Sequence, residues 1–291
     1  MLLEQLRNDV VLLCRELAAS GLVVGTSGNV SARDGDLMVV SPSGVDYAEL
    51  TADLVGVHRL DGTPVEAALR PTSEMPLHLG VYAATGAAAI VHTHSVAATA
   101  LSTVADELPA IHYQVAMFGG PLAVAPYATY GTDELARNVV TALRDRTACI
   151  MASHGAVTTG PDLRSALTGC RYLEWLCEVY LRALAASGKA RPGAPRLLPA
   201  DEITLVAGRL AGYGQRIRTP SPRAELAAAF EEAFGGGGGF PLGGHVEEVG
   251  EEVVGEEAGG GGEDTFFGLA VVGAEDAEAA DEDGHLRCSE G

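Results

Sequence analysis

Two histidines two positions apart, His92 and His94, close the apolar run "AAAIVHTHS". Side chains at i and i+2 of an extended strand leave the same face, so two imidazoles at this spacing lie close enough to share one ion. A second apolar run, "TACIMAS", leads directly into His154 and Gly155. Three neutral imidazoles gathered from two strand ends would bind a divalent ion such as zinc and leave coordination positions open, the arrangement of a catalytic centre rather than a structural one. A lone imidazole at a strand end more often makes an ordinary structural hydrogen bond. His58, His78, His245 and His285 take that reading, and His112 stands apart beside Tyr113 in a loop.

An anion site is the next candidate. In "RPTSEMPLH", Glu74 falls at the start of a helical pattern behind Thr72 and Ser73. Hydroxyls and unpaired N–H groups at a helix start attract phosphate. The same residues could equally form an ordinary cap, with Ser73 at the N-cap and Glu74 in the first turn. Two further loops, "GTSGN" (25–29) and "SPSG" (41–44), are small and hydroxyl-rich, and their glycines let backbone N–H groups approach a phosphate. No lysine-bearing phosphate loop is present, which argues against a nucleoside triphosphate.

The elements that must position these residues alternate along the chain. Leu2, Leu6, Val10, Leu13 and Leu17 recur at helical spacing in an amphipathic first helix that carries too much charge for a signal peptide. The loop "GTSGNVSAR" follows, then strands "DLMVV" and "LVGVHRL", a helix from about Ser73, the strand "AAAIVHTH", a short helix over 95–102, and a loop through "PAIHYQVAMFGG". The pattern continues with strand "LAVA", helix "DELARNVVTAL", strand "TACIMAS", a long helix from Pro161 to Ala186, and a last helix from about Pro199 to Tyr213. Strands mixed with covering helices predict one α/β layered domain, and no internal repeat appears.

Beyond that domain the polymer changes. Among residues 231–291 there are 17 acidic residues against one basic residue, Arg287, and 17 of the chain's 37 glycines. Self-repelling carboxylates and glycine entropy oppose compaction, so a disordered tail is expected, interrupted by the apolar island "TFFGLAVV" at 265–272. A net charge of −20 without a basic stripe excludes a nucleic-acid surface. No apolar run is long enough to cross a bilayer. Five cysteines without paired spacing (Cys14, Cys149, Cys170, Cys177 and Cys288) read as reduced thiols of a cytoplasmic protein.

Seven segments, "GTSGNVSAR", "SPSGVDY", "RPTSEMPLH", "IVHTHS", "PAIHYQVA", "APYATYGTDELA" and "ASHGAVTTG", stand in an order and spacing that resembles the class II aldolase/adducin family, most closely its L-fuculose-1-phosphate aldolase branch. The resemblance covers about residues 4–217, so the expected organisation is a family domain over 1–217 and a tail over 218–291. It implies a three-layer fold with a central, mainly antiparallel sheet flanked by helices. His92, His94 and His154 match the family's zinc ligands, one ion per subunit. Glu74 matches a glutamate that binds the resting metal and then serves as acid/base. Thr26, Asn29, Ser43, Gly44, Thr72 and Ser73 match the pocket for the phosphate of dihydroxyacetone phosphate, although Thr72 replaces the branch's serine. Tyr113 matches a tyrosine that reaches in from a neighbouring subunit to protonate the aldehyde oxygen, and Tyr213 one placed near the aldehyde.

The implied protein is a cyclic homotetramer with sites between subunits. It would cleave a ketose 1-phosphate such as L-fuculose 1-phosphate into dihydroxyacetone phosphate and a short aldehyde such as L-lactaldehyde. The same scaffold serves an L-ribulose-5-phosphate 4-epimerase and a methylthioribulose-1-phosphate dehydratase, and adducin-like relatives keep it as a binding module without ligands. The epimerase branch carries an aspartate in the loop where this chain has His112 and Tyr113, which favours the aldolase. The intact ligand set disfavours the binding module.

Overall fold

The structure, a computed structural model, describes residues 1–190 and 195–211. Tyr213, the acidic tail and the domain boundary at 217 lie outside the described residues. Helix α1 (Glu4–Ala19) buries Val10, Val11, Leu13, Cys14 and Leu17, the stripe its periodicity predicts. Four strands follow: β1 (Asn29–Asp34), β2 (Leu37–Val40), β3 (Gly56–Arg59) and β4 (Pro64–Glu66). The chain then alternates through α2 (Met75–Ala84), β5 (Ala89–Thr93), α3 (Val96–Leu101), β6 (Glu107–Leu108), β7 (Leu122–Ala125), α4 (Asp133–Ala142), β8 (Ala148–Met151), β9 (Gly155–Gly160), α5 (Leu163–Ala190) and α6 (Ala200–Leu210).

The strands form one nine-stranded sheet in the order β4-β3-β2-β1-β5-β9-β8-β7-β6. Every neighbouring pair is antiparallel except β7 and β8. On one face α2 and α4 lay Leu77, Val81, Leu135 and Val139 over Met38, Val40, Ile90, Met151 and Val157. On the other, α1 and α5 cover Val30, Val39, Val57 and Val91, and toward the β8 end Leu101, Leu173, Leu176 and Ile203 of α3, α5 and α6 meet Ile150. Apolar side chains on both sheet faces account for the three layers.

Four strands escape the sequence pattern. β1, "NVSARD", consists largely of residues disfavoured in strands and reads as loop, yet β2 and β5 pair it on both sides. β9, "GAVTTG", is bounded by glycines and sits between β5 and β8. β4 and β6 are only three and two residues long, and a 3₁₀ helix (Tyr113–Phe118) occupies part of the expected loop. Tertiary pairing, which local composition does not carry, decides all of them. Cys14, Cys149, Cys170 and Cys177 are buried and unpaired, as free core thiols should be. Among the described residues no helix is long and apolar enough to cross a membrane.

Candidate metal centre

β5 and β8 run in the same direction with β9 between them, so both deliver their histidines to the same end of the sheet's strands. His92 lies within β5, His94 one residue beyond it, and His154 in the tight turn joining β8 to β9. That turn places Ser153 at φ +51°, and His154 N–H donates to the Met151 carbonyl at 3.2 Å. Gly155 is required next to it, because a Cβ there would lie 2.0 Å from the Thr93 carbonyl oxygen. The three imidazole centroids are 4.7, 4.9 and 4.8 Å apart.

Glu74 closes the group from the opposite side. Its Oε2 is 2.9 Å from His92 Nε2, and its Oε1 is 3.6 Å from His154 Nε2. One donor atom from each of Glu74, His92, His94 and His154 falls within 4.8 Å of all the others. The expected Ser73 cap does not form. Glu74 itself occupies the N-cap of α2 without a side-chain cap bond, because its carboxylate turns inward to the imidazoles. Its own N–H is satisfied by Thr72 Oγ1 at 3.2 Å.

The surroundings hold these side chains in ligating form. His92 Nδ1–H donates to the Ala156 carbonyl at 3.0 Å, which fixes the tautomer and leaves Nε2 free as a ligand. The segment after His94 is anchored by Glu174 of α5, whose carboxylate accepts from Ala97 N–H at 2.7 Å and Ala98 N–H at 2.9 Å at the start of α3. Asn29 pairs with His92 across β1 and β5, and its Nδ2 donates to Glu74 Oε2 at 2.9 Å.

Burial lowers the His94 imidazole to about 4, with His92 and His154 adding to the effect, and burial and His92 lower His154 as well. For His92 burial acts downward too, but the adjacent Glu74 carboxylate outweighs it and the net shift is upward. Burial pushes the Glu74 carboxyl up, yet His92, His154 and the Asn29 amide more than reverse this and hold it well below the usual carboxylate range. An anionic Glu74, only 4% exposed, therefore faces three imidazole nitrogens. Its Oε1 is buried and lacks a hydrogen-bond partner. A buried carboxylate oxygen without a donor, beside three clustered imidazoles, is a group that a cation would satisfy. The donor set fits a divalent metal ion.

The centre opens into a cleft of about 330 Å³. Thr26, Asn29, Ser43, Gly44, Thr72 and Ser73, the phosphate residues expected from sequence, all line it together with Glu74, His94 and His154. Three loops distant in sequence thus meet beside the metal ligands. Tyr113 does not line the cleft of its own chain. It is 46% exposed, and its ring stacks near His112, 4.3 Å between centroids. Sequence reasoning missed Tyr127 and Tyr130, two exposed cleft residues in "APYATYG". The two tyrosines lie within a recognised motif, so their position was available and their role was not.

The family model described as class II aldolase and adducin N-terminal domain matches residues 8–181. The chain is 36% identical over 215 residues to the L-fuculose phosphate aldolase of Escherichia coli (strain K12), covering 73% of this chain and 97% of that protein. It is 35% identical over 219 residues to the 5-deoxy-D-ribulose 1-phosphate aldolase of Bacillus thuringiensis serovar kurstaki, covering 74% of this chain and 100% of that protein. A solved structure of an L-fuculose 1-phosphate aldolase superposes with a TM-score of 0.68 at 33% identity, over 72% of this chain and 98% of that one. The chain belongs to the class II aldolase/adducin family. As a class II aldolase it is an aldehyde-lyase whose chemistry depends on a bound metal.

Proposed function

We propose that this enzyme is a zinc-dependent aldolase that reversibly cleaves a ketose 1-phosphate to dihydroxyacetone phosphate and a short aldehyde. The observation that carries the reading is the meeting of Glu74 and three histidines with three hydroxyl- and glycine-bearing loops in one cleft. Three imidazoles and a carboxylate suit zinc among the common divalent ions. Thr26, Asn29, Ser43, Gly44, Thr72 and Ser73 are assigned to the phosphate. That group, remote from the reacting bond, would supply binding energy that fixes the substrate's orientation.

Breaking the C3–C4 bond of such a ketose removes the C4 hydroxyl proton and makes the aldehyde carbonyl. The bond's electron pair passes to C3 and is delocalised onto the C2 oxygen as an enediolate. His92, His94 and His154 would hold a divalent ion, which would supply the Lewis acidity that a Schiff base provides in other aldolases. Glu74, once it has taken up a proton from solvent, is assigned to give C3 the proton that dihydroxyacetone phosphate needs, and as a carboxylate it takes that proton back in the reverse direction. Tyr113, exposed and away from its own cleft, is assigned to a neighbouring subunit's site, where its hydroxyl handles the proton on the aldehyde oxygen. Tyr213 is assigned to the aldehyde's surroundings.

L-Fuculose 1-phosphate, which yields L-lactaldehyde, is the first substrate to test. A second reading, a 5-deoxyribulose 1-phosphate that yields acetaldehyde, is favoured by the relative of that name at nearly the same identity. Release of dihydroxyacetone phosphate from each compound, at equal concentration and with zinc supplied, compares them directly. Faster release from L-fuculose 1-phosphate supports the first reading, and faster release from the pentose supports the second. Interconversion of ketopentose epimers without any release would contradict the aldolase.

A further inference from the structure

Behind Glu74 runs a line of buried polar side chains, of which the roles above use only Asn29. Asn29 Oδ1 lies 2.5 Å from His78 Nε2, His78 Nδ1 lies 2.6 Å from Ser31 Oγ, and Ser31 Oγ lies 2.8 Å from the Tyr82 hydroxyl. None of the four is more than 4% exposed, and Ser31 and His78 are fully buried. The line is assembled from two periodicities. Glu74, His78 and Tyr82 recur at i, i+4 and i+8 on one face of α2, and Asn29 and Ser31 at i and i+2 on one face of β1.

The donors can be ordered without ambiguity from the Glu74 end. An ionised carboxylate only accepts, so Asn29 turns Nδ2 toward Oε2 and Oδ1 toward His78. His78 must then present N–H at Nε2. A buried neutral imidazole has a single N–H, so Nδ1 accepts, Ser31 gives it the hydroxyl proton, and Tyr82 donates in turn to Ser31. Every proton in the line is directed toward Glu74.

We propose that His78 is a positioning residue, which acts through Asn29 to hold the Glu74 carboxylate in its metal-ligating orientation, with Ser31 and Tyr82 fixing the tautomer that this requires. The proposal rests on the metal-centre reading. With the line intact, Asn29 occupies Oε2 and leaves Oε1, the oxygen without a partner, to the ion. Without the His78 N–H, Asn29 Oδ1 is left buried with no donor, and the Glu74 carboxylate alone holds the amide in this orientation. An amide that shifts to satisfy Oδ1 loosens its hold on Oε2 and lets the carboxylate leave its place.

The test is the zinc affinity of the purified full-length protein, measured by competition with a chromogenic chelator. His78→Phe keeps a ring and removes the N–H. Ser31→Ala removes the proton that fixes the tautomer. His78→Gln restores a side chain that donates to Asn29 and accepts from Ser31. Removing an outer partner of a metal ligand typically weakens metal binding about 10- to 100-fold. His78→Phe and Ser31→Ala should therefore each weaken zinc at least about tenfold, and His78→Gln should stay within about threefold of the parent. A His78 that only fills space predicts the opposite, a lower melting temperature with unchanged zinc affinity, and that result overturns the proposal. So does a Gln variant as weak as the Phe variant. If His78→Phe fails to fold, Ser31→Ala decides alone. A parent protein that binds no zinc would overturn the metal-centre reading itself, an outcome distinct from loss of the His78 effect.

Discussion

At the scale of single residues, Glu74 has the most exacting position, because it must be both a ligand and a proton carrier. Glu74→Gln keeps the shape and three imidazoles but loses the proton-accepting oxygen. It should retain about one metal ion per chain while kcat falls at least about a hundredfold, the range of a lost general acid/base. Metal analysis paired with dihydroxyacetone phosphate release checks both halves, and an active variant would remove the assigned role. His92, His94 and His154 were legible in the sequence because each follows an apolar strand run, so two-residue alternation could predict their convergence. His78 was not legible alone, since an isolated imidazole on a helix reads as structural. Its partners Asn29 and Ser31 lie on β1, a strand that composition conceals.

At the scale of elements, the centre depends on two local joins. Gly155 lets β9 start against the end of β5, where any Cβ would collide with the Thr93 carbonyl oxygen. Gly155→Ala should cost more than about 3 kcal/mol, which in a domain of this size lowers the melting temperature by at least about 6 °C, and it should release the metal along with the displaced His154. Glu174 caps α3 just beyond His94 with a carboxylate that accepts two N–H groups. Glu174→Gln keeps the shape and loses the charge, so a smaller fall of about 2 to 4 °C is expected. Thermal melts of the two variants side by side rank the joins, and equal shifts would contradict the ranking. The helices and the strands β2, β3, β5, β7 and β8 were readable because each has its own apolar period. β1, β4, β6 and β9 were not, because partner strands rather than their own residues hold them in the sheet.

At the scale of the molecule, the resemblance implies that active sites lie between subunits, and Tyr113, away from its own cleft, is assigned accordingly. Co-expression of Glu74→Gln and Tyr113→Phe chains should therefore yield mixed assemblies more active than either pure variant. Activity no higher than the parents' average would place both groups in one chain's site. The acidic, glycine-rich composition past residue 230 sets that stretch apart from the family domain, so truncation there should leave turnover and the number of subunits in the assembly unchanged. Loss of assembly would move the domain boundary. The central claim, carbon–carbon cleavage at a Glu74–His92–His94–His154 metal centre, is tested most directly by one assay. It follows dihydroxyacetone phosphate release from L-fuculose 1-phosphate and from a 5-deoxyribulose 1-phosphate by the zinc-loaded protein, before and after chelator and again after zinc is restored. The account predicts release from at least one of them that chelator abolishes and zinc recovers. Release that persists in chelator, or none from either compound by a protein carrying one zinc per chain, would contradict it.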